Sequence, residues 1–204
     1  MRSERPALWM VAGPNGAGKT TYAFRHIRAV AGTARFVNLD EIARGLSPLD
    51  PGAEPQRAAR VALDLMNASI AEGASFSLET TLSGRTHLGL ARRAAERGFA
   101  VNILFFALPS PEACLTRIAR RVAEGGHDVP ESDVRRRFAR GCHNLPVYAE
   151  TADLWRVFDN SGSSPRAVAE GKRGCLALLM PDAQNLPAPL LEGVSGMPRC
   201  PEIA

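Results

Sequence analysis

Eight consecutive residues, Gly13, Pro14, Asn15, Gly16, Ala17, Gly18, Lys19 and Thr20, constrain this chain more than any other stretch. They fit GxxxxGK[ST], the P-loop pattern whose backbone N–H groups cradle nucleotide phosphates, and that pattern works only between a strand and a helix. Both neighbours are present. Residues 7–12 form a short apolar run suited to a buried parallel strand, and residues 20–31 can run as a helix until Gly32. The glycines permit close backbone approaches, and the helix start offers free N–H groups and its positive dipole end to an anion. In this pattern Lys19 reaches the β- and γ-phosphates, Thr20 ligates Mg²⁺, and Thr21 continues the nucleotide-binding stretch. Of 25 basic residues only Lys19 and Lys172 are lysines, so an arginine-using chain keeps a compact ammonium at the one motif position that needs it.

Composition limits the alternatives. A chain of 204 residues, 45% hydrophobic and 23% charged, can bury the core of one ordinary domain. Net charge of +4 suits anionic ligands and is too mild to indicate nucleic acid without a concentrated patch. Cys114, Cys142, Cys175 and Cys200 lack metal-site spacing and read as reduced thiols of a cytoplasmic protein. No stretch resembles a signal peptide or a membrane span.

Strand-like and helix-like runs alternate through the chain. Strands are expected at 34–39, 75–79, 100–108 and 154–159, and helices at 55–72, 84–97, from Pro111 onward, and at 131–141 followed by another short one. The alternation predicts an α/β fold: a doubly wound, mainly parallel sheet of about five strands, with ligands at the strands' carboxyl ends. Residues 1–180 form the expected domain. Residues 181–204, with five prolines and little periodicity, read as an irregular tail.

Three groups fall where a bound triphosphate would need them. Asp40 closes the second strand and is placed to accept the proton of an attacking hydroxyl, or else to cap a helix beginning at Glu41. Glu79 closes the third strand and is followed by Thr80, Thr81, Ser83 and Arg85, hydroxyls and a cation suited to a polar acceptor. Residues 117–140 hold seven arginines against four acids, on two helices joined by a Gly125–Pro130 turn that can close as a lid. His127 in that turn reads as a hydrogen-bonding lid residue, since no second metal ligand has usable spacing.

The ordered set resembles the zeta-toxin family of P-loop kinases, most closely its small stand-alone bacterial members. The features carrying the likeness are the P-loop, Asn38-Leu39-Asp40-Glu41, Glu79-Thr80-Thr81 with Gly84-Arg85-Thr86, the Gly-Gly-His-x-Val-Pro turn, Arg135 to Arg140, and Asp159-Asn160-Ser161. The resemblance implies transfer of phosphate from ATP, with Mg²⁺, to the sugar 3′-hydroxyl of UDP-N-acetylglucosamine, and a partner antitoxin. It implies that Asp40 is the base, that Asp40, Glu79, Thr81 and Arg85 line the acceptor site, and that Arg120 or Arg121 acts with Arg136 or Arg137 on the transferring phosphate. This chain departs from the toxin pattern, because two further residues separate Thr81 from Arg85. Two other classes are a nucleotide-gated switch that hydrolyses ATP slowly, and a kinase of polynucleotide ends using Arg92, Arg93 and Arg97 as a backbone track. Scarce exposed aromatics count against the latter.

Overall fold

A computed structural model describes residues 5–201. Seven strands form one sheet in the order β2-β3-β1-β4-β5-β6-β7. The central strands are β1 (Ala7–Ala12) and β4 (Ala100–Ala107), paired in parallel and flanked by β3 (Phe76–Thr80) and β5 (Leu154–Asp159), also parallel. Their apolar runs are continuous because helices cover both faces: Leu8, Met10, Ile103 and Phe105 are all fully buried. This is the P-loop NTPase fold, with the P-loop opening from the carboxyl end of the central strand β1.

The helix after the P-loop runs as α1 (Lys19–Tyr22), a π-helical segment Ala23–Ile27, and α2 (Arg28–Ala31), closed by Gly32 at φ 62°. Strand β2 is only Phe36–Val37. Chain direction changes earlier than the apolar run predicts, because Asn38 caps α3 (Leu39–Leu46): its Oδ1 accepts from the backbone N–H groups of Asp40 and Glu41. Helix α4 (Pro55–Glu72) precedes β3, and α5 (Thr86–Glu96) leads into β4. Helix α6 (Pro111–Ala123) is capped by Ser110.

Helix α7 (Glu131–Ala149) is longer than the sequence predicts, passing through both Gly141 and Pro146 without a break. Gly141 is there for contact rather than termination, since a Cβ at that position would lie 2.5 Å from the Thr81 carbonyl oxygen.

The sheet also exceeds expectation. Strands β6 (Arg166–Lys172) and β7 (Cys175–Leu179) add an antiparallel extension to β5. The region expected to be irregular holds a 3-10 turn, Pro181–Asn185, and α8 (Ala188–Ser195). Pro181 and Pro189 stand in the first turns of these helices, where a missing N–H costs nothing, and Leu190 and Val194 supply a buried stripe against α7.

The cysteine reading needs correction as well. Cys175 and Cys200 form a disulfide, because Leu176 and residues 198–200 hydrogen-bond alongside each other and bring the two Cα atoms to 4.9 Å. Cys114 and Cys142 remain free and buried, and burial pushes their thiols up to about 11 and about 12. Among the described residues, no helix is long and apolar enough to cross a membrane.

Candidate active site

The P-loop is held by close backbone packing. Gly13 has φ 135°, and a Cβ on it would sit 2.2 Å from the Phe106 carbonyl oxygen of β4. Gly16 and Gly18 also adopt positive φ, of 79° and 81°. Asn160, at the end of β5, donates from Nδ2 to the Ala17 carbonyl at 2.8 Å, and Arg117 donates to the Asn160 carbonyl at 2.7 Å. The Asp-Asn-Ser motif thus fastens the far side of the P-loop to β5 and α6.

Lys19 is 5% exposed, and its Nζ donates to the Pro14 carbonyl at 2.8 Å and lies 3.6 Å from Glu79 Oε1. Burial lowers its pKa, while Glu79 and then Asp40 favour the charged form. Glu79 also accepts from Thr20 Oγ1 at 2.8 Å and from Asn38 Nδ2 at 2.9 Å, both on Oε2. One carboxylate therefore joins the P-loop lysine, the P-loop threonine and the cap of α3. Asn38 is the member that sequence reasoning missed; an Asn preceding Asp-Glu at a helix start was its available signal.

These groups open onto a cleft of about 390 Å³. Asn15 and Lys19 line one side, and Leu39 and Asp40 the adjoining edge. Because Asn38 is the cap, Asp40 occupies the first turn of α3 with its exposed side chain released from capping. Among the described residues, Asn15 Oδ1 is buried without a hydrogen-bond partner, an acceptor at the P-loop. The β3 side carries Thr80, whose carbonyl accepts from the Gly13 N–H at 3.2 Å, then Thr81, Ser83 and Gly84, followed by His87 in the first turn of α5. Thr81 and Ser83 hydroxyls are 2.8 Å apart, and His87 Nδ1 lies 2.8 Å from Thr80 Oγ1, which already accepts the Leu82 N–H. Burial lowers the His87 pKa and so favours the neutral ring. His87 was not singled out by sequence reasoning; lying just beyond the Gly84-Arg85-Thr86 segment, it becomes visible only through the turn of α5.

The arginines divide sharply. Arg136 and Arg137, at the start of α7, line the cleft, and both pair with Asp133, at 2.8 and 3.0 Å. Arg120 points into solvent, 83% exposed, and pairs with Glu124 one turn on. Arg121 is turned into the lid, donating to the His127 carbonyl and covering Gly126, where a Cβ would meet the Arg121 chain at 2.5 Å. Arg135 ties α7 back to Glu112 of α6 at 2.6 Å, which holds the Glu112 carboxyl down at about 2. Arg85 is exposed at the start of α5, and the structure does not place it in the cleft. A smaller lobe of about 230 Å³ continues past Asp40 and Arg137, between Pro51, Pro55 and Ala58 on one side and Val129 on the other.

The donor set fits a magnesium ion. Thr20 and Glu79 bring a hydroxyl and a carboxylate oxygen within 2.8 Å of each other at the P-loop, hard oxygen donors of the kind Mg²⁺ prefers. Among the described residues no group of three or more His, Cys, Asp or Glu is arranged to hold a metal.

Comparison with known proteins agrees with this architecture. The AAA domain family model (AAA_33) matches residues 8–140, the stretch from β1 into α7. An uncharacterised protein of Haemophilus influenzae (strain ATCC 51907 / DSM 11121 / KW20 / Rd) is 31% identical over 141 residues, covering 66% of this chain and 99% of that protein. Among solved structures, the AvrRxo1-ORF1:-ORF2 complex with ATP superposes with a TM-score of 0.69 at 19% identity, over 91% of this chain. This chain spans only 64% of the AvrRxo1 chain it matches. The PezAT chromosomal toxin–antitoxin system of Streptococcus pneumoniae superposes with a TM-score of 0.62 at 16% identity, over 82% of this chain and 72% of that one. At these identities the likeness establishes the shared P-loop fold.

Proposed function

The chain belongs to the AAA domain family AAA_33, and from that premise we propose that it is an ATP- and Mg²⁺-dependent phosphotransferase acting on a hydroxyl of a small acceptor, in the manner of zeta toxins. A nucleotide sugar such as UDP-N-acetylglucosamine is the first acceptor to test. One observation carries the reading: a single cleft joins the P-loop lysine, an Asp40 whose side chain is not used as a cap, a hydroxyl-rich wall and two arginines. The AvrRxo1 complex with ATP and the PezAT toxin–antitoxin system support nucleotide use and allow for an antitoxin partner, since both share the fold.

The chemistry follows from the geometry. A triphosphate lies along the P-loop N–H groups, and Lys19 exchanges the Pro14 carbonyl for phosphate oxygens. Thr20 and Glu79 would hold Mg²⁺, which when bound offsets charge on the β- and γ-phosphates. The acceptor is held by the Thr81 and Ser83 hydroxyls. Asp40 takes the proton of the attacking hydroxyl as its oxygen bonds to the γ-phosphorus, and the bond to the β-phosphate oxygen breaks to release ADP. Arg136 and Arg137 leave Asp133 to meet the transferring charge, and closure of the Gly125–Pro130 turn excludes water that would hydrolyse ATP.

The test is transfer from γ-labelled ATP, with Mg²⁺, to UDP-N-acetylglucosamine, related nucleotide sugars and a short oligonucleotide. Label on a nucleotide sugar is the expected result. Label on the oligonucleotide would move the reading to polynucleotide ends, and free phosphate alone from every mixture would overturn the kinase assignment.

A further inference from the structure

The hydroxyl-bearing wall of the cleft does not hold its own shape. Leu82 lies at φ 52°, a left-handed conformation that a branched side chain rarely adopts, and its side chain is fully buried. Such a loop persists only where its surroundings determine it, and here α7 does so through three successive contacts. Gly141 lets the helix backbone approach the Thr81 carbonyl. Asn144 Nδ2 donates to the Leu82 carbonyl at 2.7 Å, and Tyr148 Oη donates to the Gly84 carbonyl at 2.7 Å. Positions 141, 144 and 148 share one face of the helix. Burial pushes the Tyr148 phenol up to about 12, so it stays a donor across the working pH range.

The other end of the same helix carries Arg136 and Arg137 in the cleft, with no break between Glu131 and Ala149. Near its C-terminal end the helix is backed by α8, where Gly193 packs on Pro146. The arginine-bearing turn and the residues that hold the carbonyls of residues 82 and 84 are therefore parts of one continuous element.

We propose that Asn144 and Tyr148 are positioning residues: through them α7 sets residues 81–84, so that engagement of nucleotide by Arg136 and Arg137 fixes the hydroxyl-bearing wall before an acceptor binds. This rests on the reading of residues 80–87 as the acceptor wall. Neither residue touches a reacting atom. Their effect is on acceptor recognition, and it makes nucleotide the first substrate to bind productively.

Hydrogen–deuterium exchange of the full chain tests this without an acceptor, using a non-hydrolysable ATP analogue with Mg²⁺. In the wild type the analogue is expected to slow exchange in the P-loop, in residues 125–140 and in residues 82–85. Asn144→Ala and Tyr148→Phe, the latter keeping the ring and its packing, should each raise exchange of residues 82–85 in the free protein about fivefold. In both variants the analogue should still protect the P-loop and residues 125–140 but no longer residues 82–85. Arg136→Ala combined with Arg137→Ala should leave free-state exchange of residues 82–85 at the wild-type level and abolish its response to the analogue. Protection of residues 82–85 that survives Asn144→Ala and Tyr148→Phe unchanged, or that never occurs in the wild type, overturns the proposal. The result is separate from the kinase assignment. Coupling without label transfer to any acceptor would remove that assignment alone, and transfer without coupling would remove only the role given to α7.

Discussion

Along the phosphate wall of the cleft, eight consecutive residues supply the loop; along the adjoining wall, a loop of similar length is held by a helix 62 and 64 residues further on. The first wall is built from backbone, with Gly13 pressed on Phe106 and Gly16 beside Cys114. The second depends on side chains from α7 reaching its carbonyls. On the proposed reading, the contrast teaches why nucleotide binding is written in one short motif while acceptor choice would be dispersed. Phosphate has one geometry to recognise, and a local nest of N–H groups suffices. An acceptor varies, and its wall is shaped by whatever packs behind it.

The sharpest division between the walls comes from single substitutions. Lys19→Ala removes the buried ammonium and should lower turnover on the order of 10²–10³-fold with loss of nucleotide affinity, measured by ATP titration and transfer rate. If ATP bound unchanged, the phosphate wall would not be where it is placed here. Arg137→Ala should lower transfer strongly, toward the roughly 10³-fold effect of arginines acting on transferring phosphate, whereas Arg120→Ala, a solvated ion pair, should change it less than about twofold. Equal losses in the two would show that the lid closes in another register.

Stability measurements sharpen the comparison further. Gly13→Ala places a methyl against the backbone of β4 and should destabilise the fold by about 1–3 kcal/mol or more, read from the denaturant midpoint. Cys200→Ser opens a link spanning 25 residues and should lower stability by about 3 kcal/mol while leaving ATP affinity at the wild-type value, because the disulfide lies at the sheet edge remote from the P-loop.

What the sequence disclosed follows the same division. The P-loop, its strand and its helix were legible because their determinants are contiguous, and alternating strand and helix runs disclosed the parallel sheet. Glu79 could be placed at a strand end, but its three partners, Lys19, Thr20 and Asn38, come together only once β3 lies beside β1. Asp40 looked like a possible cap because Asn38 was read as strand; Asn38 takes the cap and leaves Asp40 free. Arg120 and Arg121 are indistinguishable from Arg136 and Arg137 by composition; the structure separates them by leaving Arg120 in solvent, packing Arg121 on Gly126 and placing Arg136 and Arg137 in the cleft. The C-terminal prolines suggest irregularity in the sequence because the helix that accommodates Pro189 in its first turn depends on buried Leu190 and Val194, whose partner surface is α7. The disulfide pairs residues whose proximity is created by β7 and the segment beside it.

The central claim is that Asp40 and the P-loop serve one reaction in one cleft, and Asp40→Asn tests it most directly. The same preparation would be titrated with ATP and assayed for label transfer from γ-labelled ATP to its acceptor. The account predicts unchanged ATP affinity and a loss of transfer of about 10²–10⁴-fold, the contribution of a positioned base. Transfer at the wild-type rate would contradict it and leave Asp40 as an exposed residue of the first turn of α3.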